Sequence, residues 1–323
     1  MTGKARYLLM KLEILMLGGA WSQEVRDRLA QAFQCHDMAA LPVAGDPAFD
    51  AIAGRIRAVL TTGTIGVTPQ LVASLPALEI VSVNGVGVDA VPLALLADKG
   101  IHVTNTPDVL TDDVADFAVT LLLSTVRRLP LLDRYVRAGS WPAKAPLTHA
   151  RSLKGKVAGI VGFGRIGQAV AQRLQAFGME IRYYQRSPGP APERRSDSLL
   201  ALAGESDMLV LCMPGGPETR RMIGVDVIEA LGPEGTLVNI ARGSVVDEAA
   251  LVAALQDGRL GAAGLDVFED EPNVPAALFA LDNVVLTPHV GSFTLEARRA
   301  MGRLAVANLL AHFDGEPLPT PVR

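Results

Sequence analysis

Short runs of β-branched and leucine-rich residues alternate along the chain with stretches whose apolar positions recur at helical spacing, the pattern of parallel βα units. The pattern appears on both sides of a central glycine-rich turn. Before it, Glu13 to Leu17, Arg57 to Thr61, Leu78 to Val83 and Ile101 to Thr104 predict strands. After it, Met208 to Cys212, Thr236 to Ile240, Gly261 to Asp266 and Val284 to Thr287 predict more. The pattern from Val109 to Ala138, with aspartates in its first turn and arginines later, predicts one long helix leaving the first domain, and Leu295 to Phe313 predicts its counterpart. The stretch YLLMKLEILMLGG is apolar, but Lys11 and Glu13 interrupt it, so it reads as a strand behind a loose leader of residues 1–10 rather than a membrane span.

The central turn reads GFGRIG, from Gly162 to Gly167, after the apolar run Val157 to Val161 and before AVAQRLQAF. A strand emptying into such a turn and then a helix brings backbone amides and the positive helix end to a pyrophosphate. Gly162 permits the tight turn, Gly164 lets phosphates approach the backbone, and Gly167 lets helix and strand pack closely. Gly178 stops the helix, and MEIRYY forms the next strand. An NAD site places an acid at the end of that strand, about 20 residues past the first glycine. Here the chain has Gln185, Arg186 and Ser187. A guanidinium and a hydroxyl suit a 2′-phosphate, so NADPH is favoured over NAD, and Arg194 and Arg195 lie close enough in sequence to assist.

The motif sits mid-chain between the two long helical patterns, which suggests an inserted domain. The expected fold is α/β with two Rossmann-like doubly wound parallel-sheet domains: residues 1–104 and 289–323 form the substrate-binding part, and 105–288 the inserted NADP-binding part. At 323 residues, 49% hydrophobic and 20% charged, the chain can bury two sizeable cores. A net charge of −4 gives no reason to expect nucleic acid or an anionic membrane as partner. Cys35 and Cys212 have neither metal-site nor disulfide spacing, so no metal and a reducing cytoplasm are expected.

In open α/β sheets, ligands bind past the carboxyl ends of the strands. Those ends offer Arg242, Asp266 with the following VFEDEP, and His289. Reducing a 2-keto acid needs a cation to hold and polarise the substrate and an acid to protonate the developing alkoxide. The planar fork of Arg242 suits the first role. His289 suits the second, since imidazole titrates near neutrality, and Glu271 can orient it and favour its protonated form.

The segments VNGVGVDAVPL from Val83, TNTPDVLTDDVADFAVTLLL from Thr104, VGFGRIG from Val161, LVNIARGSVVDEAALVAAL from Leu237, AGLDVFEDEP from Ala263 and LTPHVGS from Leu286 cover nearly the whole chain. Together they make it resemble the D-isomer-specific 2-hydroxyacid dehydrogenases, and within them the NADPH-dependent glyoxylate/hydroxypyruvate and hydroxyphenylpyruvate reductases. The resemblance implies Arg242, Glu271 and His289 as the catalytic set, and Val86 and Gly87 as amide donors to the substrate carboxylate. It also implies Phe163, Gly164, Arg165 and Ile166 at the pyrophosphate, Pro214 at the adenosine and nicotinamide ribose, and Ile240 and Asp266 at the nicotinamide. A homodimer formed through Val109 to Ala150 follows from the same likeness, with Trp141 either crossing to the partner or buried as an anchor of the arm. Glyoxylate, hydroxypyruvate or a phenylpyruvate would be reduced, the choice resting on Thr61 to Gly66, the Val86 loop, Phe293 and Trp141. NAD-preferring dehydrogenases and nucleotide-sensing corepressors share this fold and stay open as alternatives.

Overall fold

The computed structural model describes residues 11–18, 21–43, 45–187, 189–191 and 194–322, so the leader expected at residues 1–10 lies outside the described residues. The chain divides into two compact units, one running to Leu110 and resuming at Thr294, the other spanning Thr111–Phe293. These crossings differ from the expected ones at 104/105 and 288/289. The second difference has a local cause: the carboxylate of Asp266 accepts from the amides of Val290 and Gly291, at 2.9 Å each, and holds the His289 segment to the second unit.

The first unit contains β1 (Leu12–Leu17), α1 (Gln23–Ala32), β2 (Phe33–Met38), α2 (Pro47–Ala53), β3 (Ile56–Thr62), α3 (Pro69–Ser74), β4 (Ile80–Asn84), α4 (Leu93–Asp98) and β5 (His102–Thr104). Its strands are all parallel in the order β2-β1-β3-β4-β5. Interior strand β4 is buried along its whole length, as expected of a strand covered on both faces. Edge strand β2 is partly exposed and polar, reading FQCHDM, so no apolar run announces it. At the carboxyl ends, a Cβ on Gly66 would lie 1.9 Å from the Ala90 carbonyl oxygen, and Gly66 has φ +60°. Only glycine lets the loops after β3 and β4 cross so closely.

The second unit contains α5 (Thr111–Val126), α6 (Leu129–Arg137), β6 (Val157–Val161), α7 (Arg165–Ala176), β7 (Glu180–Tyr184), α8 (Leu199–Glu205), β8 (Met208–Leu211), α9 (Val225–Leu231), β9 (Thr236–Asn239), α10 (Glu248–Gln256), β10 (Ala262–Leu265) and β11 (Val284–Leu286). Its six parallel strands run β11-β10-β9-β8-β6-β7, so the order reverses between β6 and β8. The expected single helix over 109–138 is two helices. Pro130 lacks an N–H to continue the ladder, and Arg128 turns left-handed at φ 55° before α6 begins. No residue of α6 is buried, and Trp141 beyond it is 68% exposed, which overturns its reading as a buried anchor. The chain ends its journey in the first unit with α11 (Leu295–Asp314), capped by Thr294 and closed by left-handed Gly315. It covers β4, and the Ser82 hydroxyl donates to the Ala305 carbonyl at 3.1 Å.

Candidate active site

The strand-order reversal places a cleft of about 570 Å³ between the carboxyl ends of β6 and β8, walled by the loops that follow β6, β7 and β8. Two of its glycines are fixed by close approach. A Cβ on Gly162, at φ +90°, would lie 2.6 Å from the Met213 amide nitrogen, and one on Gly167 would lie 2.1 Å from the Gly162 carbonyl oxygen. Gly164 is the opposite case. Nothing lies within 4 Å of where its Cβ would be, and as the α7 N-cap it offers no side-chain acceptor to the first-turn amides. Open space over a helix N-terminus fits a dinucleotide's pyrophosphate.

The Phe163 ring faces inward, stacked on Tyr183 at 4.1 Å between centroids, so its contribution to the cleft is backbone. Ile166 is half-buried against the same core, while Arg165 is exposed at the helix start. Pro214 lines the opposite wall, its carbonyl accepting from the Thr219 hydroxyl at 2.9 Å. Cys212 lies beside it, and burial pushes its thiol up to about 12.

Gln185 holds the position where an acid would mark NAD, and its side-chain oxygen accepts from the Phe163 amide at 3.2 Å. Arg186 and Ser187 both line the cleft and are exposed. Arg186 is ion-paired with Glu218. Arg195, which sequence could not place, donates to the carbonyls of Gln185 at 3.0 Å and Arg186 at 3.3 Å, beneath the same turn.

The catalytic candidates stand on the loops after β9, β10 and β11. Asn239, 1% exposed, ends β9 and folds over the turn that follows. Its amide nitrogen donates to the Arg242 carbonyl at 2.9 Å and its oxygen accepts from the Ala241 amide at 3.0 Å. Half-buried Ile240 packs on the core between them. Gly243 then passes so close to the next loop that a Cβ would meet the Phe268 carbonyl carbon at 1.8 Å. The loops bearing Arg242 and Glu271 are thereby locked together. Glu248 adds a second clasp, accepting from the Glu269 amide at 3.0 Å, and burial raises its carboxyl above the usual range.

Asp266 is only 2% exposed, and its carboxylate also accepts from the Thr287 hydroxyl at 2.7 Å besides the Val290 and Gly291 amides. Burial raises its carboxyl above the ordinary range, against the lowering effect of these donors and of His289. Its main-chain carbonyl accepts from the His289 amide at 2.8 Å, and His289 sits in the left-handed region at φ 54°. Such strain in a non-glycine residue persists only where the surroundings enforce it.

The enforced geometry aims the imidazole at Glu271. His289 Nδ1 lies 2.7 Å from Glu271 Oε2, and Glu271 Oε1 accepts from the Phe268 amide at 3.1 Å. Burial disfavours the Glu271 carboxylate, but the His289 hydrogen bond and charge, the Phe268 amide and the Arg242 charge outweigh it and hold the carboxyl below its usual range. An ionised carboxylate can only accept, so Nδ1 carries the shared proton and Nε2 is left for proton exchange.

Val86 and Gly87 belong to the first unit, on the loop after β4. The Asn105 side chain donates to the Val86 carbonyl at 2.8 Å, and the Val86 and Gly87 amides find no acceptor among the described residues. Among the described residues there is no His, Cys, Asp and Glu cluster able to hold a metal, and no helix long and apolar enough to cross a membrane. Sequence reading passed over Asn239, Glu248 and Glu218. Only Asn239 had a signal, as an amide closing an otherwise apolar strand.

The profile of the D-isomer specific 2-hydroxyacid dehydrogenase NAD binding domain matches residues 119–291. A hydroxyphenylpyruvate reductase of Plectranthus scutellarioides is 52% identical over 271 residues, covering 84% of this chain and 86% of its own. A glyoxylate/hydroxypyruvate reductase A of Arabidopsis thaliana is 50% identical over 268 residues, covering 83% and 85%. Among solved structures, an NADPH-dependent glyoxylate/hydroxypyruvate reductase from Sinorhizobium meliloti, in complex with NADP and malonate, superposes with a TM-score of 0.89 at 40% identity over 97% of each chain.

Proposed function

The chain belongs to the D-isomer specific 2-hydroxyacid dehydrogenase family, and from that premise we propose that it is an NADPH-dependent reductase converting small 2-keto acids, glyoxylate and hydroxypyruvate foremost, to D-2-hydroxy acids. The observation that carries the reading is the 2.7 Å pair between His289 Nδ1 and Glu271, with Arg242 locked to the same loop through Gly243. Bound NADPH supplies the hydride. Arg242 holds the substrate and stabilises charge developing on its keto oxygen, and the Val86 and Gly87 amides take the carboxylate. His289 donates the proton from Nε2 while Glu271 stabilises the charged imidazole. Asp266 acts by holding the His289 loop.

Arg186, Ser187 and the fixed guanidinium of Arg195 favour the 2′-phosphate, in keeping with the NADP of the Sinorhizobium meliloti relative. Gly162, Gly164, Gly167 and the start of α7 would hold the pyrophosphate. The corepressor alternative draws no support from the relatives, which are reductases. The two free thiols suit a reducing compartment, and we place the protein in the cytoplasm. A second copy would cover Leu129, Val136, Trp141 and Leu147, each at least 50% exposed, to give a homodimer.

The test is consumption of NADPH and of NADH with glyoxylate, hydroxypyruvate and hydroxyphenylpyruvate. Turnover of none of them would overturn the reading. His289→Ala should lose about 10²- to 10⁴-fold in kcat with NADPH affinity intact, and near-normal turnover would remove His289 from the acid's role.

A further inference from the structure

Arg186 follows β7 on one wall of the nucleotide cleft, and Glu218 lies on the other, in the loop after β8 whose Pro214 and Thr219 line it. Their ion pair therefore bridges the cleft at the position offered to the 2′-phosphate. Resting on the NADPH reading of this site, we propose that Glu218 is a specificity-determining residue that competes with the 2′-phosphate for Arg186.

The chemistry runs as an exchange of partners. Side chains of Arg186 and Glu218 are 62% and 71% exposed, so water and salt weaken the pair, which is worth at most about fivefold in an equilibrium. A phosphate monoester brings a charge of about −1.5 to −2 and three acceptor oxygens. It can take the guanidinium from a single carboxylate. A ribose 2′-hydroxyl cannot, so with NADH the Arg186–Glu218 pair stays closed. Arg195 does not take part in the exchange, because its bonds to the Gln185 and Arg186 carbonyls tie it under the turn. The site thus combines one fixed cation with one that must be released. Breaking the Arg186–Glu218 pair is a cost that NADPH must meet and NADH does not, so Glu218 restrains NADPH affinity while leaving NADH affinity alone.

Wild type, Glu218→Gln, Arg186→Ala and the double variant would be titrated with NADPH, NADH and 2′,5′-ADP by fluorescence or calorimetry. Glutamine keeps the shape and an acceptor but removes the charge. Glu218→Gln should bind NADPH and 2′,5′-ADP about three- to fivefold tighter at low salt, with NADH changed less than about twofold. The gain should shrink at about 0.5 M salt and vanish in the Arg186→Ala background. Unchanged or weaker NADPH binding, an equal gain for NADH, or a gain that persists without Arg186 would each overturn the role of Glu218. Wild type alone tests the underlying cofactor reading. A wild type that prefers NADPH beside an unresponsive Glu218→Gln rejects Glu218 only, whereas a wild type without that preference rejects the NADPH reading.

Discussion

Replacing Glu271 with glutamine isolates the charge behind the imidazole from the geometry that holds it. Glutamine can still accept from the Phe268 amide with its oxygen, the bond that spans 3.1 Å in the native loop, so the backbone around residue 271 keeps its anchor. Its other terminus is now an amino group facing His289 Nδ1, where a carboxylate oxygen lay 2.7 Å away. Nδ1 can no longer donate there, and the charged imidazole loses its counter-ion. A hydrogen bond to a charged group contributes about 1.5–3 kcal/mol. The low end applies, since the side chains of His289 and Glu271 are 38% and 24% exposed and solvent screens their charges. Near 1.5 kcal/mol, Glu271→Gln should lower kcat about tenfold. The assay is steady-state keto-acid reduction across pH with saturating cofactor, beside an NADPH titration that should not change. A variant with kcat within twofold of wild type would refute the claim that the Glu271 carboxylate assists His289.

Gly243→Ala should destabilise the second unit by at least about 1–3 kcal/mol, because its Cβ would strike the Phe268 carbonyl carbon rather than a yielding side chain; an unchanged melting temperature would show that the crossing is looser than described. Asp266, whose carboxyl is raised above its ordinary 3.8, binds a proton in the folded chain over a window just above that value in which the unfolded chain has lost it. Its contribution to stability therefore falls as pH rises through the window, and Asp266→Asn should remove that slope from denaturant-unfolding measurements. Half-buried Cys212, with its thiol near 12, should resist iodoacetamide in the native protein at mildly alkaline pH, and rapid labelling there would contradict that raised value.

The glycine turn was legible because two of its glycines answer a contact close by in sequence or one strand away, Gly162 against Met213 and Gly167 against Gly162, while Gly164 leaves open space. Arg242, Glu271 and His289 were legible as polar residues past the ends of apolar runs. What held them in place was not. The Asp266 carboxylate serves amides more than twenty residues on, and no local pattern encodes which loop a buried acid will bind. Arg195 was recognisable as a nearby cation, but its bond to the Gln185 carbonyl depends on a segment returning beside β7. Strand β2 escaped because an edge strand buries too little to require an apolar run. The helix break at Arg128 was readable in principle from Pro130.

Helix α11 has a consequence for the order of events during synthesis. Ala305, Val306 and Leu309 complete the layer over Ile80 and Leu60, and the Ala305 carbonyl receives the Ser82 hydroxyl. Until those residues leave the ribosome, that face of the first sheet is covered only in part, by Val25 and Leu29 of α1. The second unit is one continuous stretch of the chain. Vectorial folding from the N-terminus is therefore uneven here: the sheet translated first keeps one face incompletely covered until α11 is made, after the whole of the second unit has been synthesised. Nascent chains arrested before α11 should be the species that most need a chaperone.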